Sequence, residues 1–212
     1  MTILQDNTAI VSDLVAGGQQ PEVGMMIGVG VNKDSDAVFF MYRGEDQEPA
    51  ALTIPTSGKP LTRLGNVFVT GISIAEDVGT FKSTKLNLFL TTNSGNVILI
   101  TSGLTTIWSQ CVLTGLMGAF ESGNLQLALT LDTWKGTSKM KPCFACIRSG
   151  DLKMSDTDLY EQLKDARADR DQRKVETICR DCVSILSHAI SPSQVEVSTL
   201  VDKTTEVDKG DF

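Results

Sequence analysis

The sequence predicts a mainly β protein with added helices, of the α+β class. Several short apolar segments alternate with polar residues, as half-buried strands do. One long apolar segment, 103–123, instead repeats its apolar residues at helical spacing, and so does the charged segment 155–190. Strands therefore predominate, and two helical regions are expected among and after them.

The first part of the chain, 1–65, is predicted to be a β-rich extension. Residues 23–44 favour a β-hairpin, because apolar and β-branched runs flank a polar turn at 32–36. Residues 53–65 contain two prolines and two glycines, which is typical of a connector.

The central part, 66–150, is predicted to hold five strands with the first helix between the third and the fourth. The predicted strands are 66–75, 84–92, 96–102, 125–133 and 143–149. This order is that of the OB-fold, a five-stranded Greek-key barrel that binds oligonucleotides. We therefore expect an OB-like barrel here, although other mixed α+β domains share the same order of elements.

The third part, 151–191, is predicted to be a C-terminal helical segment, in one or two pieces. Ser155 followed by Asp158 resembles a helix cap, and Pro192 lies just beyond the end. The last part, 192–212, is polar and acidic and is predicted to be a disordered tail.

Net charge argues at first against a nucleic-acid partner, since the whole chain carries −7. The charges are unevenly placed, however. Residues 66–150 contain six basic and four acidic side chains, whereas each of the other parts has more acidic than basic ones. The central part is thus the only positive one, and a nucleic acid stays a candidate ligand there.

The composition also limits the cellular compartments in which the protein is expected. No apolar run approaches the roughly 20 residues of a membrane span, and the start lacks the basic region of a signal peptide. Five cysteines, an odd number, fit a reducing compartment. A cytoplasmic protein with no membrane partner is expected.

Two loops of the predicted barrel combine an aromatic residue with lysines. Single-stranded nucleic acid needs this pairing, because bases stack on aromatic rings and phosphates need cations. The alternation in 84–92 also turns Phe89 away from the leucine face, where a base could stack. Polar loops are common, so Trp134 as a mere cap of the barrel end is the alternative interpretation. The predicted nucleic-acid contacts are Phe81, Lys82, Lys85, Phe89, Trp134, Lys135, Lys139, Lys141 and Arg148.

An OB-like block followed by an acidic tail that ends in phenylalanine resembles the single-stranded DNA-binding proteins of bacteria and phages. The tail residues that carry the resemblance are Glu206, Asp208, Asp211 and Phe212. The resemblance covers 66–150 and 196–212 and is closer to the phage type, because the tail lacks the proline-containing ending common in bacterial members. It implies a role in DNA replication, recombination or repair, in a bacterial cell or a phage-infected host. It also implies that the tail recruits replication or recombination proteins and competes with DNA for the basic cleft.

Metal binding and catalysis receive less support. The pairs Cys143 and Cys146, and Cys179 and Cys182, have spacing that zinc accepts. The first pair points to opposite faces of a strand, however, and the second lies on an apolar helix stripe, so no metal and no cofactor are predicted. The single histidine, His188, has no nucleophile motif around it, and no enzyme is predicted.

A second function remains open at this point. The chain is also compatible with a phage structural or protein-interaction module that docks a partner and binds no nucleic acid. The sequence leaves homo-oligomerisation and the choice between DNA and RNA undecided.

Overall fold

The computed structural model describes residues 24–32, 34–42, 48–79 and 82–190. Within these residues the chain forms nine strands and three helices. In chain order they are β1 Met25–Val29, β2 Phe39–Met41, β3 Ala50–Ala51, β4 Arg63–Val78, β5 Ser83–Thr92, β6 Val97–Gly103, α1 Ile107–Glu121, β7 Leu129–Lys135, β8 Cys143–Ser149, β9 Leu152–Met154, α2 Thr157–Ala168 and α3 Gln172–Ile190.

All nine strands belong to one mixed sheet, in the order β3-β2-β1-β6-β5-β4-β7-β8-β9. Neighbouring strands are antiparallel except β1 and β6, which run parallel with Ile27 opposite Ile100. The long strand β4 is the sixth of the nine and pairs with β5 on one side and β7 on the other.

The predicted five-stranded OB-like barrel is wrong. The order of strand, strand, strand, helix, strand and strand is present as β4, β5, β6, α1, β7 and β8. A closed barrel would need its two outer strands, β6 and β8, to pair with each other. Instead β6 pairs with β1 and β8 pairs with β9, so the sheet stays open. The predicted N-terminal hairpin exists, and it is this hairpin that occupies the edge of β6.

The first helix packs closely against β8 and the start of α2. A side-chain carbon at Gly118 would lie 2.5 Å from the backbone nitrogen of Ser155, and one at Gly115 would lie 2.6 Å from Ile147. Only glycine permits this approach. Trp108, on the same helix, lies in the core with 1% of its surface exposed.

The C-terminal helical segment consists of two helices. The N-cap of α2 is Asp156 rather than Ser155, since its carboxylate accepts a hydrogen bond from the Leu159 amide at 2.9 Å. The apolar face of α3 packs on β4 and α1, with Cys179 and Cys182 buried in it as predicted. Arg180 of α3 also forms an ion pair with Glu76 of β4 at 2.6 Å.

None of the helices in the described ranges combines the length and the apolar character that a membrane span requires.

Candidate nucleic-acid interface

Strand β5 separates the core from the outer surface of the sheet. Leu86, Leu88 and Leu90 are buried, whereas the residues between them are only half-buried. Phe89 is one of these half-buried residues. The predicted alternation is therefore confirmed, and Phe89 lies on the face of the sheet opposite the leucine core.

An apolar row crosses the outer face at the level of Phe89. Residues that pair across a sheet lie on the same face. Phe89 pairs with Leu99 of β6, Leu99 with Met26 of β1, and the amide of Tyr42, which follows β2, donates to the Met26 carbonyl at 3.3 Å. Met26 and Tyr42 are exposed. We call these four residues, Tyr42, Met26, Leu99 and Phe89, the outer row.

Two glycines make room for the rings of the outer row. Gly71 of β4 lies opposite Phe89, and a side-chain carbon there would come within 3.2 Å of the ring. A side-chain carbon at Gly28 would come within 2.7 Å of the Tyr42 hydroxyl. A glycine therefore leaves space beside the ring at each end of the row, and partial burial raises the pKa of the Tyr42 hydroxyl.

Charge on this part of the outer face is positive. Strands β1, β5 and β6 contain no acidic residue, and β5 contains one lysine, Lys85. Lys85 pairs with Ala75 and Gly103 and has no ion-pair partner among the described residues. Lys82 is exposed just before β5, and its backbone is in the left-handed region with a φ of 45°. Phe81 lies outside the described residues.

A second aromatic surface lies on β7 and β8. Trp134 is 46% exposed and stacks on Phe144 of the neighbouring strand, with ring centroids 5.8 Å apart and planes inclined by 15°. Phe144 was not predicted from the sequence. Pairing the two strands of this hairpin in register would have placed it beside Trp134. We call Trp134 and Phe144 the stacked pair.

The lysines beside the stacked pair have structural partners. The Lys135 ammonium donates to the backbone carbonyl of Asn32 at 2.9 Å and to that of Ser35. The Lys141 ammonium lies 3.3 Å from the Asp36 carboxylate. Both lysines thus fasten the β7–β8 loop to the β1–β2 turn. Lys139 is exposed and has no partner in the part of the chain that the structure describes.

Arg148 is also paired. Its guanidinium lies 3.0 Å from one oxygen of Asp132, whose other oxygen lies 2.5 Å from Arg63. The Asp132 carboxylate raises the pKa of Arg63 mainly through this hydrogen bond. Arg148 therefore belongs to a surface ion-pair cluster on β4, β7 and β8.

The cysteines form no metal site within the described ranges. No group of three or more histidine, cysteine, aspartate or glutamate residues there is close enough to hold a metal ion. Burial raises the pKa of Cys179 and of Cys182 to about 12, and all five thiols are free. His188 is exposed near the end of α3 and contacts the Ser184 carbonyl at 2.7 Å.

The four tail residues predicted to bind a partner, Glu206, Asp208, Asp211 and Phe212, lie outside the described residues. Comparisons with protein-family models, with curated proteins and with solved structures gave no match. The function therefore has to be argued from the residues of this chain.

Proposed function

We propose that the protein binds single-stranded nucleic acid, in the first instance single-stranded DNA, across the outer face of its sheet. The observation that carries the proposal is the outer row, a line of apolar and aromatic side chains that stays accessible on the solvent side of four strands. Aromatic rings on a sheet surface are a known platform for unstacked bases. Binding of this kind tolerates any sequence, because every base has a face that stacks.

The charges around the outer row favour a nucleic acid over an apolar protein segment. A phosphate backbone that crosses β5, β6 and β1 meets no carboxylate on these strands and finds Lys85, with Lys82 beside it. Glu76 and Asp77 lie at the end of the neighbouring strand β4, and Glu76 is already paired with Arg180. A lysine that is not held in an ion pair can bind a phosphate and displace a counterion from the nucleic acid, and this displacement supplies most of the affinity in non-specific binding.

The stacked pair supplies a second platform. Trp134 keeps 46% of its surface exposed although it stacks on Phe144. Lys139 lies five residues further along the chain, in the β7–β8 loop, and has no partner in the described structure. We propose that a longer strand uses both platforms. A role in replication or recombination, and recruitment of partner proteins by the tail, remain predictions from the sequence.

Replacement of Phe89 tests the proposal most directly. Phe89→Ala should weaken the binding of fluorescein-labelled oligo-dT by about 1–3 kcal/mol, since one base loses its stacking partner. Fluorescence anisotropy at low salt measures this, and circular dichroism checks that the variant is folded. The control is Phe120→Ala, which removes an exposed phenylalanine at the far end of α1.

Two results would contradict the proposal. One is the absence of any oligonucleotide binding by the wild-type protein at low salt, which would favour a protein-interaction module. The other is an equal loss of affinity in Phe89→Ala and Phe120→Ala, which would show that stability rather than stacking had changed.

A further inference from the structure

A row of cations crosses the outer face of the sheet on the strands beside the stacked pair. Arg63 of β4 pairs with Asp132 of β7, and Arg148 of β8 pairs with Lys153 of β9. Each of these four residues has a buried neighbour on its own strand, so all four side chains lie on the outer face. We call Arg63, Arg148 and Lys153 the cationic row.

The cationic row carries more positive charge than its acidic neighbours neutralise. The Asp132 carboxylate contacts two guanidinium groups, at 2.5 Å from Arg63 and 3.0 Å from Arg148. Lys153 is exposed and has no ion-pair partner among the described residues. Asp151, in the β8–β9 turn, contributes its backbone carbonyl, 3.4 Å from Arg148. Even with the Asp151 carboxylate counted, three cations face two carboxylates, and a positive charge remains in excess.

The excess charge is accessible to an anion. The side chains of Arg63 and Arg148 keep 66% and 39% of their surface exposed. Arg63 contacts Asp132 through its Nε atom, and its terminal nitrogens make no hydrogen bond with any described residue. A guanidinium group has five N–H donors, and such a free pair of nitrogens matches the oxygens of a phosphate.

The cationic row also lies next to the stacked pair. Asp132 and Trp134 are two residues apart on β7 and flank the buried Thr133, so they share a face at a spacing of about 7 Å. One sugar joins a base to its phosphate. A base stacked on Trp134 therefore brings a phosphate to the cationic row. This row offers the free positive charge that Lys135 and Lys141, which hold the β1–β2 turn, do not.

Strand β4 connects the cationic row with the outer row. Phe68 lies between the buried Val67 and Val69 and pairs with Thr91 of β5, so its half-buried ring is on the outer face. Phe89 is its diagonal neighbour on β5, at about 7–8 Å. A nucleic-acid strand that leaves Phe89 can thus stack on Phe68 before it reaches the cationic row.

We propose that the cationic row binds the phosphates of a nucleic-acid strand whose bases stack on the stacked pair, and that Asp132 limits the strength of this binding. The inference rests on the proposed function, and it assigns a phosphate site to the second platform. Contacts to phosphates position a strand without reading its sequence. The cationic row therefore keeps the strand on its path and leaves the binding tolerant of any base.

Asp132→Asn gives the sharpest test, because the inference predicts a gain of binding. The amide has the size of the carboxylate but no charge, so the cationic row gains one net positive charge. The affinity for a long oligo-dT should rise by about 3- to 10-fold at low salt, and the dependence of log affinity on log salt should steepen by about 0.7, the value for one phosphate contact on a single strand. Fluorescence anisotropy over a series of salt concentrations measures both. An ion-pair cluster that is only structural would give no gain.

Lys153→Gln tests the cationic row without removing an ion pair. Its salt dependence should flatten by about 0.7, since one phosphate contact is lost. The matched control is Lys174→Gln, because Lys174 is also exposed and without an ion-pair partner among the described residues, but lies on α3. The control should keep the salt dependence of the wild-type protein. Circular dichroism shows whether each variant is folded.

The two proposals fail in different ways. If the wild-type protein binds oligo-dT but Asp132→Asn and Lys153→Gln both keep its salt dependence, the cationic row is not a phosphate site and the proposed function stays intact. If Asp132→Asn does not fold, the comparison of Lys153→Gln with Lys174→Gln decides alone, and equal slopes overturn the inference. If no strand binds at all, both proposals are overturned.

Discussion

The outer row and the stacked pair are both accessible aromatic surfaces, but their lysines are used in different ways. Beside the outer row, Lys85 has no ion-pair partner among the described residues. Beside the stacked pair, Lys135 and Lys141 hold the β1–β2 turn. The comparison teaches that lysines next to an aromatic residue do not by themselves mark a phosphate site. What matters is whether the ammonium group is already engaged.

Loss of both aromatic surfaces should have the largest effect. Phe89→Ala and Trp134→Ala together should weaken binding of a long oligo-dT by about 2–6 kcal/mol, the sum of two stacking losses, because distant sites add. Anisotropy with a long and a short oligonucleotide measures this. The binding of the short oligonucleotide should weaken by only one of the two stacking losses.

The matched control for the stacked pair is Tyr160→Ala, on α2. Tyr160 is 46% exposed, as Trp134 is, but lies away from both surfaces. If Trp134→Ala behaves like Tyr160→Ala with the long strand, the stacked pair is not part of the binding surface.

The next effect concerns stability. Lys135→Ala removes a charged donor from two backbone carbonyls and should lower the free energy of unfolding by about 1–3 kcal/mol. Urea denaturation followed by circular dichroism measures this. Lys139→Ala, in the same loop, is the control and should leave the unfolding free energy nearly unchanged. Equal stability of the two variants would show that Lys135 does not fasten the turn.

A smaller effect is expected on the salt dependence of binding, in which Lys85 and Lys141 should differ. Lys85→Ala should flatten the dependence of log affinity on log salt by about 0.7 on single strands, the value for one lost phosphate contact. Lys141→Ala should change this slope less, because Asp36 already neutralises Lys141. Lys59→Ala, on the exposed connector before β4, serves as the control and should leave the slope unchanged. The comparison fails if Lys141→Ala flattens the slope as much as Lys85→Ala does.

The smallest effect concerns the reactivity of the cysteine thiols. Burial raises the pKa of the Cys143 thiol, and it raises those of Cys179 and Cys182 to about 12, so few thiolates exist at pH 8. Since Cys143 is the more accessible, iodoacetamide should label it first, and the rate should rise with pH as thiolate forms. Peptide mass spectrometry measures this, with urea-unfolded protein as the reference. Early labelling of Cys179 or Cys182 in the folded protein would contradict their burial.

Local features of this fold could be predicted from the sequence, because they depend on neighbouring residues. The leucine alternation of β5 and the apolar stripe of α1 placed Phe89 outside and Trp108 inside. The parallel pairing of β1 with β6 could not be predicted, since it joins segments about seventy residues apart and no local pattern encodes it. This pairing is what keeps the sheet open.

The candidate site shows the same division. Exposure of Trp134 followed from its polar surroundings. The bond from Lys135 to Asn32, by contrast, spans 103 residues and depends on the fold as a whole. The ion pair of Arg148 with Asp132 is easier to predict than the Lys135 bond and harder than the exposure of Trp134, because it joins the two strands of one hairpin.

The two edges of the open sheet have a further consequence. An open sheet ends in strands with unpaired backbone groups, which invite edge-to-edge association between molecules. Among the described residues the edges are β3 and β9, which contain only two and three residues. So short a template offers few hydrogen bonds to a neighbouring chain. Many copies could therefore lie side by side at high local concentration without joining their sheets into a fibre.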